Sequence, residues 1–255
     1  MSQFAVILAA AGKSSRFKDD HYKKPFIKLG ERAVWLHSAE KFLNRDDVKQ
    51  LIIAVSPEDL EFFKESFGPN VAIMGIDVVV GGEQRSDTVN NALAVVKDEI
   101  EFVAVHDAAR PCLAEEWIDS VFEAARKHGA AILASPVTST LKRSQGSTAQ
   151  SDPPQVARVS ETIDRTHLWA AQTPQVFKKS ILQKAFTNRS DSSATDEAEL
   201  VEADGHDVVL IECSPMNIKI TTRQDLKIAS ALLKVLPKPR LDAPTHPFAD
   251  DHLWR

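Results

Sequence analysis

Three short stretches concentrate the residues of this chain that are suited to chemistry. The first is Ala9-Ala-Ala-Gly-Lys-Ser-Ser-Arg-Phe17. Small residues directly after an apolar run let backbone N–H groups approach a phosphate. Arg16 and Lys24 on one connection call for an anionic partner. Gly12-Lys13-Ser14 resembles the end of a Walker loop, but the glycine required five positions earlier is Ile7, and no GxGxxG is present. An ordinary tight turn is the alternative. The second stretch is Gly81-Gly-Glu-Gln-Arg-Ser-Asp-Thr88. Paired glycines allow close approach to a planar group such as a nucleobase, with Ser86 and Asp87 capping a following helix. A plain turn and cap would use the same residues. The third is Val105-His-Asp-Ala-Ala-Arg-Pro111. An acid at the end of an apolar strand is costly without a cation, so Asp107 is a candidate ligand for Mg²⁺, which takes one or two carboxylates plus substrate phosphates. An Asp107–Arg110 salt bridge is the competing reading. His106 reads as structural, since no second His or Cys sits at metal-binding spacing.

The elements around these stretches must bring them to one place. Continuous apolar runs at Phe4–Ala11, Leu51–Val55, Asp77–Val80, Phe102–Val105, Ala130–Ala134 and Val208–Ile211 read as strands buried on both faces, the habit of parallel sheets. Helix-period segments at Ala33–Phe42, Pro57–Phe67, Asp87–Val96 and Glu115–Lys127 alternate with them. The pattern predicts an α/β fold, a mostly parallel sheet with helices on both faces. Right-handed crossovers place the strands' C-terminal ends on one edge, where ligands of such sheets bind. The alternation breaks at 137–164, where Val137–Arg143 and Val156–Ile163 flank a polar tip ending in Pro153-Pro154. This reads as a β-arm, too small to stand alone and so expected to pack on a second subunit; a mobile surface loop is the other possibility. Thr195 is expected to cap one helix, and Thr221 with Gln224 to box the last, which runs to about Leu236. The chain thus reads as a single domain over 1–236, followed by a flexible Pro-rich tail over 237–255.

Composition narrows the class of function. The 255 residues carry a net charge of −5, which argues against a general nucleic-acid binder. Residues 13–28 nevertheless hold six basic and two acidic side chains, a cationic patch suited to a small anion. Two cysteines make no disulfide framework and fit a reduced, cytoplasmic compartment. No apolar run is long enough to span a bilayer.

In order along the chain, Ala10-Ala-Gly-x-x-x-Arg16, Lys24, Gly81-Gly-x-x-Arg-x-Asp, His106-Asp-Ala-Ala-Arg-Pro111, Thr173-Pro-Gln and Asn217-Ile-Lys-Ile-Thr221 resemble the 2-C-methyl-D-erythritol 4-phosphate cytidylyltransferase family from about residue 3 to 235. The resemblance implies a Rossmann-like nucleotidyltransferase fold with a protruding β-arm. It implies transfer of CMP from CTP to methylerythritol 4-phosphate with Mg²⁺, in non-mevalonate isoprenoid synthesis. It casts Arg16 and Lys24 as the phosphate clamp that stabilises charge on the α-phosphorus, with Lys219 as a further cation there. Ala10, Ala11, Gly12, Gly82, Glu83 and Thr88 would surround cytosine and ribose. Asp107 would hold Mg²⁺ and, with Arg110, Thr140, Arg165, Thr173 and Thr195, meet the acceptor. In the family the arm clasps the neighbour in a homodimer, and its Thr and Arg reach the neighbour's site. Three positions depart from the family pattern: Ser14 for a frequent Gly, Pro25 for a frequent Gln, and Met216 for a frequent Asp, which leaves Asn217 as the candidate second ligand. Ribitol 5-phosphate as acceptor and a nucleotide-binding module without turnover are the competing functions.

Overall fold

In the first strand, β1 (Phe4–Ala9), Phe4, Val6 and Leu8 join one buried apolar cluster and Ala5 and Ile7 join another. A strand apolar on both faces needs a helix layer on each side. The computed structural model describes residues 2–12, 24–145, 157–189 and 194–237, and these residues supply both layers.

After β1 come a small hairpin, β2 (Lys28–Leu29) and β3 (Arg32–Ala33), then α1 (Val34–Leu43), β4 (Val48–Val55), α2 (Leu60–Met74), β5 (Asp77–Val80), α3 (Arg85–Leu93), β6 (Phe102–Asp107) and α4 (Glu115–His128). The second half contains β7 (Ala130–Pro136), β8 (Leu141–Ser144), β9 (Val159–Ile163), β10 (Trp169–Lys178), α5 (Lys179–Thr187), α6 (Glu197–Ala203), β11 (Val209–Glu212) and α7 (Arg223–Leu232). Seven strands form one sheet in the order β11-β7-β10-β6-β1-β4-β5. Trp35, Phe63 and Phe122 of α1, α2 and α4 cover one face, and Leu93, Leu182 and Val201 of α3, α5 and α6 the other. The chain steps outward from β1 to β4 and β5, then returns to β6 on the other side of β1. That reversal makes the β1/β6 boundary the topological switch point, where open α/β sheets bind ligands. Ala9 and Asp107 are register partners there, so the first and third chemical stretches leave the sheet side by side.

Four expectations need correction. The sheet gains a long strand, β10, that runs antiparallel between β6 and β7. The six other strands keep their C-terminal ends together, whereas β10 offers its N-terminal half to that edge. Second, α2 continues through Gly68 and Pro69 to Met74, because Phe67, Val71 and Met74 share the face that packs on the core. Third, the caps move by one residue. Asp196, not Thr195, caps α6 by accepting from the Glu199 N–H, and the box at α7 is Thr222 with Asp225, not Thr221 with Gln224. That last helix stops at Leu232. Fourth, α3 starts at Arg85 after an N-cap at Gln84, whose N–H donates to Asp87; Ser86 instead accepts from Arg189.

The arm is present as a two-stranded antiparallel sheet, β8 with β9, separate from the main sheet. Its side chains are mostly exposed, Val159 at 57%. Its tip, including Pro153-Pro154, and the segment 238–255 lie outside the described residues. Cys112 and Cys213 are buried and free, and burial pushes their thiols up to about 11 and about 12. Among the described residues no helix is long and apolar enough to cross a membrane.

If β10 is a central strand, truncating Phe177, which is fully buried, leaves a cavity between sheet and helices. Phe177→Ala is expected to lower unfolding free energy by about 3–5 kcal/mol in urea titrations. A loss below about 1 kcal/mol, the scale of an exposed site, would contradict that placement.

Candidate active site

The ends of β1, β5 and β6 enclose a cleft of about 260 Å³ at the switch point. Ala9–Gly12 and Pro25 form one wall, Glu83, Gln84, Arg85 and Thr88 another, and Asp107 and Lys219 the floor and mouth. The two glycine-bearing loops touch. A Cβ on Gly81 would lie 2.5 Å from the Ala11 Cβ, and one on Gly82 would lie 2.3 Å from the Asp87 Cβ. Both glycines are therefore required by protein packing, a reason that spacing alone had assigned to a nucleobase. Thr88 is buried; its hydroxyl accepts from the Gly82 N–H at 3.1 Å and donates to the Gln84 carbonyl at 3.0 Å, which holds this loop in shape.

Asp107 is the electrostatic centre. Its Oδ2 lies 3.1 Å from Arg110 Nε and 3.0 Å from Lys219 Nζ, and its Oδ1 lies 3.6 Å from Arg85 Nη2. Burial works to raise this carboxyl, but Lys219, Arg85 and Arg110 outweigh it and hold the group well below the usual carboxylate range. The salt bridge to Arg110 is real, and so is the exposure of the carboxylate to the cleft.

Beneath Asp107 runs a buried polar chain. The Asp107 N–H donates to Thr173 Oγ1 at 3.1 Å, and Thr173 Oγ1 is 3.0 Å from His106 Nδ1. His106 Nε2 is 3.1 Å from the Arg110 carbonyl, which can only accept. The proton therefore sits on Nε2, and Nδ1 accepts from the Thr173 hydroxyl. Asn217 is also buried; its side-chain amide donates to Gln172 Oε1 and the Thr173 carbonyl, and its backbone carbonyl accepts from Arg110. Thr173 and Asn217 thus brace the floor from below. Neither is among the residues that line the cleft: the Thr173 hydroxyl is taken up by Asp107 and His106, while Asn217 Oδ1 is buried without a partner among the described residues.

The other expected residues divide by position. Ala10, Ala11, Gly12, Glu83, Thr88, Asp107 and Lys219 gather at the cleft, with Gly82 in the loop beside it. Lys219 is 42% exposed, so it can exchange Asp107 for a ligand. Arg110 is tied to Asp107 and to the Asn217 carbonyl. Thr195 is exposed, and its N–H and hydroxyl both donate to Glu199. Thr140 and Arg165 flank the paired ends of β8 and β9, exposed and outside the cleft lining. Arg16 and the Lys24 side chain lie outside the described residues. Arg85 was visible in the second motif but had no assigned part; its proximity to Asp107 comes only from the fold.

Among the described residues no group of three His, Cys, Asp or Glu side chains is placed to hold a metal. One ionised carboxylate, whose Oδ1 has the long Arg85 contact as its one ion-pair partner among the described residues, fits an ion that takes its remaining oxygens from phosphates and water.

The profile of the 2-C-methyl-D-erythritol 4-phosphate cytidylyltransferase family matches residues 4–235. The chain belongs to this family. The family member of Rhodopirellula baltica is 38% identical over 240 residues, covering 90% of this chain and 94% of its own. That of Bacillus velezensis is 36% identical, covering 91% and 96%. The crystal structure of the Francisella tularensis cytidylyltransferase superposes with a TM-score of 0.73 at 31% identity, covering 91% of this chain and all of its own. The mostly parallel nucleotidyltransferase fold is therefore shared, and the cleft described above lies within the matched region.

His106 supplies a test of the floor. Burial lowers its pKa to about 4, against the pull of Asp107, so it is neutral in the native state. The unfolded chain takes up this proton near pH 6.5, and the native state only near 4. Stability is then full above 6.5 and falls by about 3 kcal/mol as pH drops towards 4. Denaturant titrations of the metal-free protein from pH 7 to 4.5 are expected to show this slope, and His106→Gln to flatten it. An unchanged slope in the variant would place the titration elsewhere.

Proposed function

We propose that the chain transfers CMP from CTP to 2-C-methyl-D-erythritol 4-phosphate, releasing pyrophosphate and forming the CDP-methylerythritol intermediate of non-mevalonate isoprenoid biosynthesis. The observation that carries this reading is the switch-point cleft of a cytidylyltransferase-family chain, with a buried, ionised Asp107 ringed by Lys219, Arg85 and Arg110.

A phosphate oxygen of the acceptor attacks the α-phosphorus of CTP. The bond from that phosphorus to the bridging oxygen breaks, and pyrophosphate leaves with the electron pair. An ionised phosphate is already a nucleophile, so neither a covalent enzyme intermediate nor a general base is needed. The work left to the protein is alignment and charge stabilisation. The Ala10–Gly12 and Gly82–Glu83 backbones take the nucleoside, Lys219 moves from Asp107 to the α-phosphate, and Arg16 and Lys24 close on the triphosphate. Asp107, with the phosphates, would hold Mg²⁺, whose charge offsets that of the triphosphate.

Thr140 and Arg165 sit at the exposed base of the β8–β9 arm, outside the cleft lining. A second copy that presents them to the acceptor phosphate would account for this placement, and a two-fold homodimer is the simplest assembly that does so. A cytoplasmic setting suits both the substrates and the reduced thiols.

Pyrophosphate release measured with CTP and each polyol phosphate tests the assignment. Methylerythritol 4-phosphate is expected to turn over, and ribitol 5-phosphate to fall far behind. CTP is expected to exceed ATP and GTP by at least about a hundredfold, since a purine leaves the backbone groups unpaired. Equal rates with ATP would sink the cytosine site. The divided site has its own test. Arg16→Met and Arg165→Gly homodimers should each be nearly inactive, while random mixtures regain up to about one quarter of the activity, because one site of each heterodimer collects neither lesion. No recovery in confirmed heterodimers would mean that Arg165 serves its own subunit.

A further inference from the structure

Arg85 has no part in the chemistry above, yet it lines the cleft. Its guanidinium is anchored from behind. Nη1 lies 2.5 Å from each carboxylate oxygen of Glu197, a residue only 1% exposed in the first turn of α6. The other edge faces the site, with Nη2 3.6 Å from Asp107 Oδ1. Burial raises the Glu197 carboxyl, and the two Arg85 contacts act against that rise. A buried ion pair adds little stability over an apolar pair of similar size, so what distinguishes this one is where it points. The planar Arg fork can hold one carboxylate and face a second at a set angle, which a Lys ammonium on a flexible stem cannot. Among the described residues Asp107 otherwise takes its side-chain bonds on Oδ2, from Arg110 and Lys219, and Lys219 is the more exposed of the two partners.

We propose that Arg85 is a positioning residue for the cytidylyl transfer: Glu197 locks its guanidinium, and the locked guanidinium holds the Asp107 carboxylate in one orientation at the edge of the cleft. Arg85 opens α3 directly after the glycine loop, and Glu197 is the first residue of α6, so the pair also ties these two helix starts together. When Lys219 leaves Asp107, the Arg85 contact remains and keeps the carboxylate from turning.

The inference rests on the proposed reaction, and the experiment separates the two. An inactive wild-type enzyme would count against the reaction itself; the variants are judged only relative to an active wild type. Arg85→Gln/Glu197→Gln removes both charges together and leaves no unpaired buried charge. Its melting temperature is expected within a few degrees of wild type, with kcat at least about tenfold lower. Arg85→Lys keeps the pairing charge, and with it folding, but loses the fork; the same fall in kcat is expected. Because Arg85 acts through Asp107, adding Arg85→Lys to Asp107→Asn is expected to cost less than about twofold more. A folded Arg85→Lys or double-Gln variant with wild-type kcat would overturn the proposal, since the pair would then be only structural. So would losses that multiply in the Asp107→Asn background, since Arg85 would then act on substrate directly.

Discussion

Everything at this site depends on keeping one buried carboxylate ionised. Alone in a dry pocket, Asp107 would take up a proton and lose its use as an anchor for cations. Three positive side chains prevent this, and they come from three places: Arg85 from the start of α3, Arg110 from the loop after β6, and Lys219 from the loop before α7. Arg110 is three residues from Asp107 and reaches it locally, whereas Arg85 and Lys219 come within about 4 Å only through the sheet and its crossovers. The cations have unequal freedom. Arg110 is pinned to a carbonyl and Arg85 to Glu197, while Lys219 is nearly half exposed. Two fixed charges and one movable one suit a site that must hold a carboxylate still and also receive a phosphate.

The reversed strand β10 makes this possible. A parallel strand would bring its C-terminal end to the ligand edge. Running the other way, β10 brings Gln172 and Thr173, with Gln175 further along. The Thr173 hydroxyl accepts from the Asp107 N–H and donates to His106 Nδ1. Gln175 donates to Asp196 and accepts from the Ala198 N–H, which fixes the start of α6 and therefore Glu197. One strand thus supports the carboxylate from beneath and, through α6, the arginine that faces it.

Much of this was legible in the sequence, and the reasons differ by feature. Phe4–Ala9 and Phe102–Val105 are apolar on both faces, so their burial in a parallel sheet followed from composition alone. The loops after them carried residue types with few uses other than phosphate or cation binding, and the ordered motifs pointed to the family. Helix ends were less secure. Thr195-Asp196 and Thr221-Thr222 each offer two adjacent capping residues; the second of each pair caps, its side chain accepting from the N–H of Glu199 or Asp225, while the carboxylate of Glu199 or Asp225 reaches back to the first.

Local pattern therefore determined the buried strands, the chemical inventory and the family. Tertiary structure decided the direction of β10, since Trp169–Lys178 alternates no differently whichever way its neighbours run. It decided that Thr173 lies beneath the floor and not on it, because side-chain hydrogen bonds between residues 66 and 67 positions apart leave no trace in spacing. It also decided the part of Arg85, whose partners Glu197 and Asp107 stand 112 and 22 residues away along the chain. Charges act through distance in space, and only the fold sets that distance.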